Sequence, residues 1–169
     1  MAKPKPPAWL TTAFAEGVVE LAPPRPAPAY PGALGRCWLA QFDERRRPCE
    51  GRFERAHLIS RQRVENALWA LLPEDGADFS IYGASFGMRS AGIPAVLDRF
   101  IFEGRADLIL LAAWDPRNGV VACEHHHRRF DLHLTPPLTL RYEHLPTHAI
   151  HFAFDWGIES QLDRFPSEI

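Results

Sequence analysis

Apolar residues recur at helical spacing in "RQRVENALWALLP". Val64, Ala67, Leu68, Leu71 and Leu72 share one face, which predicts a helix that starts after Ser60 as its cap and stops at Pro73. "GRFERAHLIS" alternates as a short strand, with Phe53, Leu58 and Ile59 as its apolar members. "PAVLDRFIF" looks helical from Pro94, "DLILLAAW" has the continuous apolar run of a buried strand, and "DPRN" is a turn. "NGVVAC" reads as another short strand, and the histidines that follow it open a helix. "THAIHFAFDWGIESQLDRFP" reads as two short helices divided at Gly157. Strands and helices mixed in this way predict an α+β domain.

The first 34 residues stand apart from this pattern. Half of the sixteen prolines fall by position 31, and "LAPPRPAPAYPGALG" lacks the N–H donors of a regular element. Residues 1–34 are therefore expected to form an extended arm, with "AWLTTAFAEGVVEL" as one short helix docking on the body. The 60-residue separation between His57 and Asn118 is too long for a structureless loop, so it must carry elements of its own.

A chain of 169 residues with 46% hydrophobic and 24% charged positions reads as one globular domain with a real core. No run of about 18 apolar residues appears, and the start "MAKPKPPAWL" lacks a signal-peptide pattern, so the expected setting is cytoplasmic, with no membrane partner. The net charge of −2 means that any anionic partner must be met by a local patch. One exists: from Asp43 to Arg63 there are seven arginines against four acids, whereas from Asp131 onward six acids face two arginines. The alternative is a solvated loop whose charges pair among themselves.

Cys37, Cys49 and Cys123 are an odd number, which argues against a disulfide framework. Cys123 and His126 form a C-x-x-H pair, the spacing with which a turn entering a helix offers two ligands to one tetrahedral ion. Adding Cys37 and Cys49, the only other thiols, makes a Cys3His zinc site with no cysteine left over. The bland reading is three buried cysteines acting as small hydrophobes. Within "EHHHRRFD", His125, His126 and His127 point about 100° apart on a helix, so they cannot all serve one site.

"ERAHLIS" followed by "DPRNGVVACEHHHRRFD" resembles the signature of HNH endonucleases of the phage-like, zinc-knuckle type. His57 matches the first histidine of that motif, Asn118 its asparagine and His127 its last histidine. The resemblance implies a ββα-metal core with a treble-clef-like zinc knuckle over residues 35–169, a helical insertion at about 61–112 and C-terminal helices. It implies hydrolysis of phosphodiester bonds in DNA, double-stranded by expectation. His57 would be the general base, and Asn118 would orient the loop that aims it. His126 would hold the structural Zn2+, while His127 and Asp131, four residues apart, would hold a catalytic Mg2+ or Mn2+. Arg45, Arg46, Arg47, Arg61, Arg63, Arg128 and Arg129 would meet the phosphates. The chain departs from the family at Ala56, where an aspartate or histidine ligand usually precedes the base; Glu54 or His133 are candidate replacements.

Other zinc chemistries fit less well. A nucleobase deaminase needs P-C-x-x-C with H-x-E, and a zincin needs H-E-x-x-H; neither is present. The competing reading is a catalytically inactive zinc module that binds DNA or a protein partner through the arginine loop. His144, His148 and His151 are expected to decorate the C-terminal helices, and Trp69, Trp114 and Trp156 to sit in the core.

Overall fold

Two strands far apart in sequence pair with each other. In the computed structural model, which describes residues 5–23, 28, 30–72, 105–131 and 140–167, β1 (Phe53–His57) runs antiparallel to β2 (Gly119–Cys123). The register sets Phe53 opposite Cys123 and His57 opposite Gly119. Phe53, Arg55 and His57 therefore share one face of the ladder with Val121, while Glu54 and Ala56 share the other with Ala122 and Val120. The domain is α+β, with helices on both faces of this small sheet.

The first face is covered by α1 (Ala8–Leu21), the helix expected inside the arm, whose Phe14 and Val18 pack on Val121. The second face enters the main core, where Ala56, Val120 and Ala122 join Leu58, Leu68, Leu108, Phe152 and Trp156. The end of the predicted arm also belongs to the body. Tyr30 and Ala33 are buried, and Cys49 N–H donates to the carbonyl of Gly32 at 3.0 Å.

After β1 the chain enters α2 (Arg61–Leu71), where the Ser60 hydroxyl accepts the Arg63 N–H at 3.4 Å and Val64 and Leu68 face inward. It packs against α3 (Arg105–Ala113), which corrects the strand expected for "DLILLAAW". A continuous apolar run carries no period that separates strand from buried helix. Here Leu108, Leu111 and Ala112 recur at helical spacing and are all buried. "PAVLDRFIF" and the middle of the expected insertion lie outside the described residues, as does His133.

The turn into β2 is held by a buried charge network. Asp115 caps the 3-10 turn Pro116–Asn118, accepting the Arg117 N–H at 3.0 Å, the Arg117 guanidinium at 2.8 Å and Trp156 Nε1–H at 3.0 Å. Arg117 also pairs with Asp155. Each buried charge thus has partners, without which it would be costly. β2 leads into α4 (Glu124–Asp131), and α5 (Thr147–Asp155) ends at Gly157, whose φ of 71° is the left-handed conformation that stops a helix. The 3-10 helix Glu159–Arg164 follows, so the two-helix ending matches the sequence pattern. Trp156 is buried as expected, but Trp69 is 44% exposed. No helix among the described residues is long and apolar enough to cross a membrane.

α1 approaches the Pro116 turn so closely that a side chain on Gly17 has no room: a Cβ there would lie 2.6 Å from Pro116 Cβ and 2.7 Å from Cγ. Gly17→Ala should therefore destabilise the fold by about 1–3 kcal/mol despite alanine's better helix propensity. Urea unfolding measures this, and a neutral or stabilising result would show that α1 is not seated on the turn.

Candidate metal centre and the adjoining cleft

Cys37, Cys49, Cys123 and His126 converge, with one donor atom from each lying within 4.8 Å of the others. His126 Nδ1 is 3.0 Å from Cys123 Sγ, 3.7 Å from Cys49 Sγ and 3.8 Å from Cys37 Sγ. A tetrahedral zinc with Zn–S near 2.3 Å and Zn–N near 2.05 Å needs N···S edges of about 3.6 Å. The four residues therefore fit a structural metal such as zinc. Backbone donors already point at the sulfurs, with Cys123 N–H to Cys37 Sγ at 3.2 Å and Leu34 N–H to Cys49 Sγ at 3.2 Å. The Cys37 hydrogen bond is the largest influence drawing the Cys123 thiol down, with His126 adding to it against the effect of burial. Cys37 itself is pushed up by that bond and by burial.

A second layer fixes the imidazole. His126 is fully buried and its Nε2–H donates to Asp43 Oδ2 at 3.1 Å, close to the Tyr30 hydroxyl at 3.2 Å. This turns Nδ1 toward the sulfurs. Asp43 is buried too; burial pushes its carboxyl up, but the Arg47 guanidinium and the backbone N–H groups of Arg45 and Arg47 outweigh that and hold it below the usual carboxylate range. Arg47 contacts it at 2.8 and 2.9 Å. The Arg47 side chain is thus paired with the carboxylate behind His126. Burial and Asp43 push the Tyr30 hydroxyl up to about 12, so it stays a donor, bonded to the Arg47 carbonyl.

The next residue on α4 faces elsewhere. His127 Nδ1 lies 2.6 Å from Glu54 Oε2 and its Nε2 lies 3.0 Å from Asp131 Oδ2. The Asp131 hydrogen bond is the main influence raising the His127 pKa, with burial opposing and Glu54 assisting. His125 takes a third direction, accepting Arg129 Nε–H at 3.1 Å. His127 and Asp131 line an open cleft of about 580 Å³ together with His57, Arg55, Arg61, Trp114 and Phe14.

His57 is half-buried in that cleft, stacked on Phe14 at 4.5 Å and edge-on to Trp114 at 5.5 Å. Its Nε2–H donates to the Ala113 carbonyl at 3.1 Å, which leaves Nδ1 with its lone pair free to accept a proton. Burial first, then the Arg61 charge, bring its pKa down to about 4. Just beyond His57 the chain is clamped by Asn118, whose Oδ1 accepts the Ile59 N–H at 2.9 Å and whose Nδ2–H donates to the Ile59 carbonyl at 2.7 Å. Asn118 is fully buried, and its own carbonyl accepts the Leu58 N–H at 2.9 Å.

Of the expected phosphate-binding arginines, Arg61 lines the cleft, its guanidinium 4.7 Å from the Trp114 ring centre. Arg45, Arg46, Arg63 and Arg128 are exposed and Arg129 is half-buried on His125. Ala56, where the HNH resemblance leads us to expect a ligand, is fully buried in the core. Asp43, Tyr30 and Trp114 were not singled out as site residues by sequence; the spacing of Asp43 and Arg47, an acid four residues before an arginine, was the one available signal. No family model, curated protein or solved structure matches the chain.

The purified protein should contain one zinc per chain by elemental analysis, and Cys123→Ser should lose it and unfold at lower denaturant. Asp43→Ala should keep the ligands but weaken zinc roughly 10- to 100-fold in a chelator competition, the usual scale for an outer hydrogen-bond partner. Unchanged affinity would remove Asp43 from the centre. A pH dependence follows from His57. Its folded pKa of about 4 lies below the unfolded value near 6.5, so its contribution to stability is full above pH 6.5 and is lost as pH falls toward 4. Wild type should lose more melting temperature than His57→Gln across that window; parallel curves would contradict the depressed pKa.

Proposed function

We propose that the chain is a metal-dependent endonuclease of the HNH kind, hydrolysing phosphodiester bonds in DNA. The observation that carries this reading is that His57, His127 and Asp131 line one cleft, while Asn118 clamps the chain just after His57. The reading is further supported by a β1–β2 pair leading into α4, with a Cys3His cluster beside it.

His127 Nε2 and Asp131 Oδ2 lie 3.0 Å apart, which matches neighbouring corners of an octahedron with bonds near 2.1 Å, about 3.0 Å. These two residues would hold Mg2+ or Mn2+, and a bound ion there supplies charge neutralisation at the phosphate and at the leaving oxygen. His57 Nδ1 takes the proton of the attacking water as the new P–O bond forms and the bond to the leaving oxygen breaks. The depressed pKa keeps His57 neutral, and so able to accept, at ordinary pH. Arg61 at the cleft wall faces the entering phosphate, and its charge is then partly balanced by that anion, which restores basicity to His57. Asn118 acts indirectly by fixing the backbone that follows the base.

A second reading, a catalytically inactive zinc module that binds DNA or a protein, is favoured by one observation: Ala56 is buried, so the ligand usual at that position is missing.

Supercoiled plasmid incubated with Mg2+, Mn2+ or Zn2+ separates the two. Wild type should nick it, and His57→Ala should lower the rate by about two to four orders of magnitude while zinc content stays unchanged. DNA retardation without nicking under any of the three ions would leave the zinc-module reading in place of the nuclease.

A further inference from the structure

Glu54 and Asp131 occupy opposite nitrogens of one imidazole. Glu54 Oε2 is 2.6 Å from His127 Nδ1, and Asp131 Oδ2 is 3.0 Å from His127 Nε2. The nitrogens of an imidazole diverge, so two carboxylates held this way cannot close on one ion along with the ring. Among the described residues, the three do not form a cluster whose donor atoms converge as those of the Cys3His site do. Glu54 is partly shielded and Asp131 is exposed, while His127 itself is only 19% exposed at its side chain.

We infer that Glu54 is a positioning residue: it accepts the Nδ1–H of His127 and thereby turns Nε2 toward Asp131 and a divalent ion. The inference rests on the nuclease reading for the use made of the ion, but not for the geometry. Strand alternation supplies the reason for the position. Glu54 and Ala56 project from the same face of β1, and Ala56 is fully buried, so a charged ligand there would have to sit in the core. Two residues earlier, the same face reaches the flank of α4, where a carboxylate is partly hydrated and can still touch His127. A carboxylate on the far nitrogen fixes the tautomer and orientation of a metal-binding histidine and makes its other nitrogen a better donor. Glu54 in this role partly offsets the missing ligand by strengthening one of the two that remain.

The test uses the full chain with zinc in place. In protein saturated with Mg2+, nitrogen-15 NMR of His127 should show a protonated Nδ1 with slowed exchange and an unprotonated Nε2; a proton on Nε2 with none on Nδ1 would make Glu54 a direct ligand and overturn the inference. Calorimetric titration with Mn2+ alone should show binding weakened at least 10-fold in Glu54→Ala and less in Glu54→Gln, whose amide oxygen still accepts the Nδ1–H. Unchanged Mn2+ affinity in Glu54→Ala, or equal losses in the two variants, would also overturn it. Plasmid nicking is scored separately. A wild type that never nicks but shows the protonated Nδ1 and the graded Mn2+ losses defeats the nuclease reading and leaves Glu54 in place. Normal nicking with an Nδ1 that lacks a proton does the reverse.

Discussion

The pairing of Phe53 with Cys123 and of His57 with Gly119 holds two separate chemistries at fixed spacing along one short ladder. A slip of one residue would exchange the faces. His57 would enter the core side and Glu54 would face α1, and neither would meet its present partners. The register is pinned at both ends. Beyond Phe53, backbone bonds from Glu124 to Arg52 at 2.9 Å and from His125 to Glu50 at 3.2 Å carry the contact up to Glu50, the residue after Cys49. Beyond His57, Asn118 closes the other end through both backbone groups of Ile59. A metal joining Cys49 to Cys123 would add a cross-link where the ladder frays most easily.

From that ladder the first turns of α4 distribute three histidines by rotation alone. His126 points to the sulfurs, His127 to the cleft and His125 to Arg129. Neighbouring positions on a helix differ by about 100°, so a structural centre and a second site can be adjacent in sequence without sharing a ligand. Their outer partners differ in kind. Asp43 behind His126 is buried and neutralised by Arg47, which suits a centre that only has to stay closed. Glu54 and Asp131 around His127 are instead open to solvent, at 27% and 55% side-chain exposure.

The thiols were legible in the sequence because there are only three and a tetrahedral ion needs four donors; the C-x-x-H spacing supplied the fourth. Both strands, α1, α2 and α4 were legible for the usual reason, period and flanking turn residues. "DLILLAAW" was not, since an unbroken apolar run has no polar face to reveal its period. The pairing of Arg47 with Asp43 was not legible, because its neighbours Arg45 and Arg46 are exposed and the three look alike in sequence. What separates them is a loop conformation, with Arg46 at φ 53°, that returns Arg47 to Asp43. Tyr30 was hidden in a proline-rich stretch read as an arm, although its burial depends on a long-range contact with His126 that no local pattern encodes.

The cleft is built to keep a histidine neutral rather than strongly basic. Phe14 and Trp114 pack against the His57 ring, and the Ala113 carbonyl uses its one N–H, so protonation at Nδ1 would place a cation on a half-buried ring beside Arg61. On the proposed nuclease reading this bias favours readiness over strength. The base is unprotonated in the free protein and gains affinity for a proton when a phosphate enters and offsets Arg61. The gain is greatest with substrate bound, when the proton has to be taken. α1 is tied to the same ring: Phe14 stacks on His57, Val18 packs against Gly119, and Gly17 seats the helix on Pro116. The position of the His57 ring thus depends on an N-terminal helix some forty residues away in sequence.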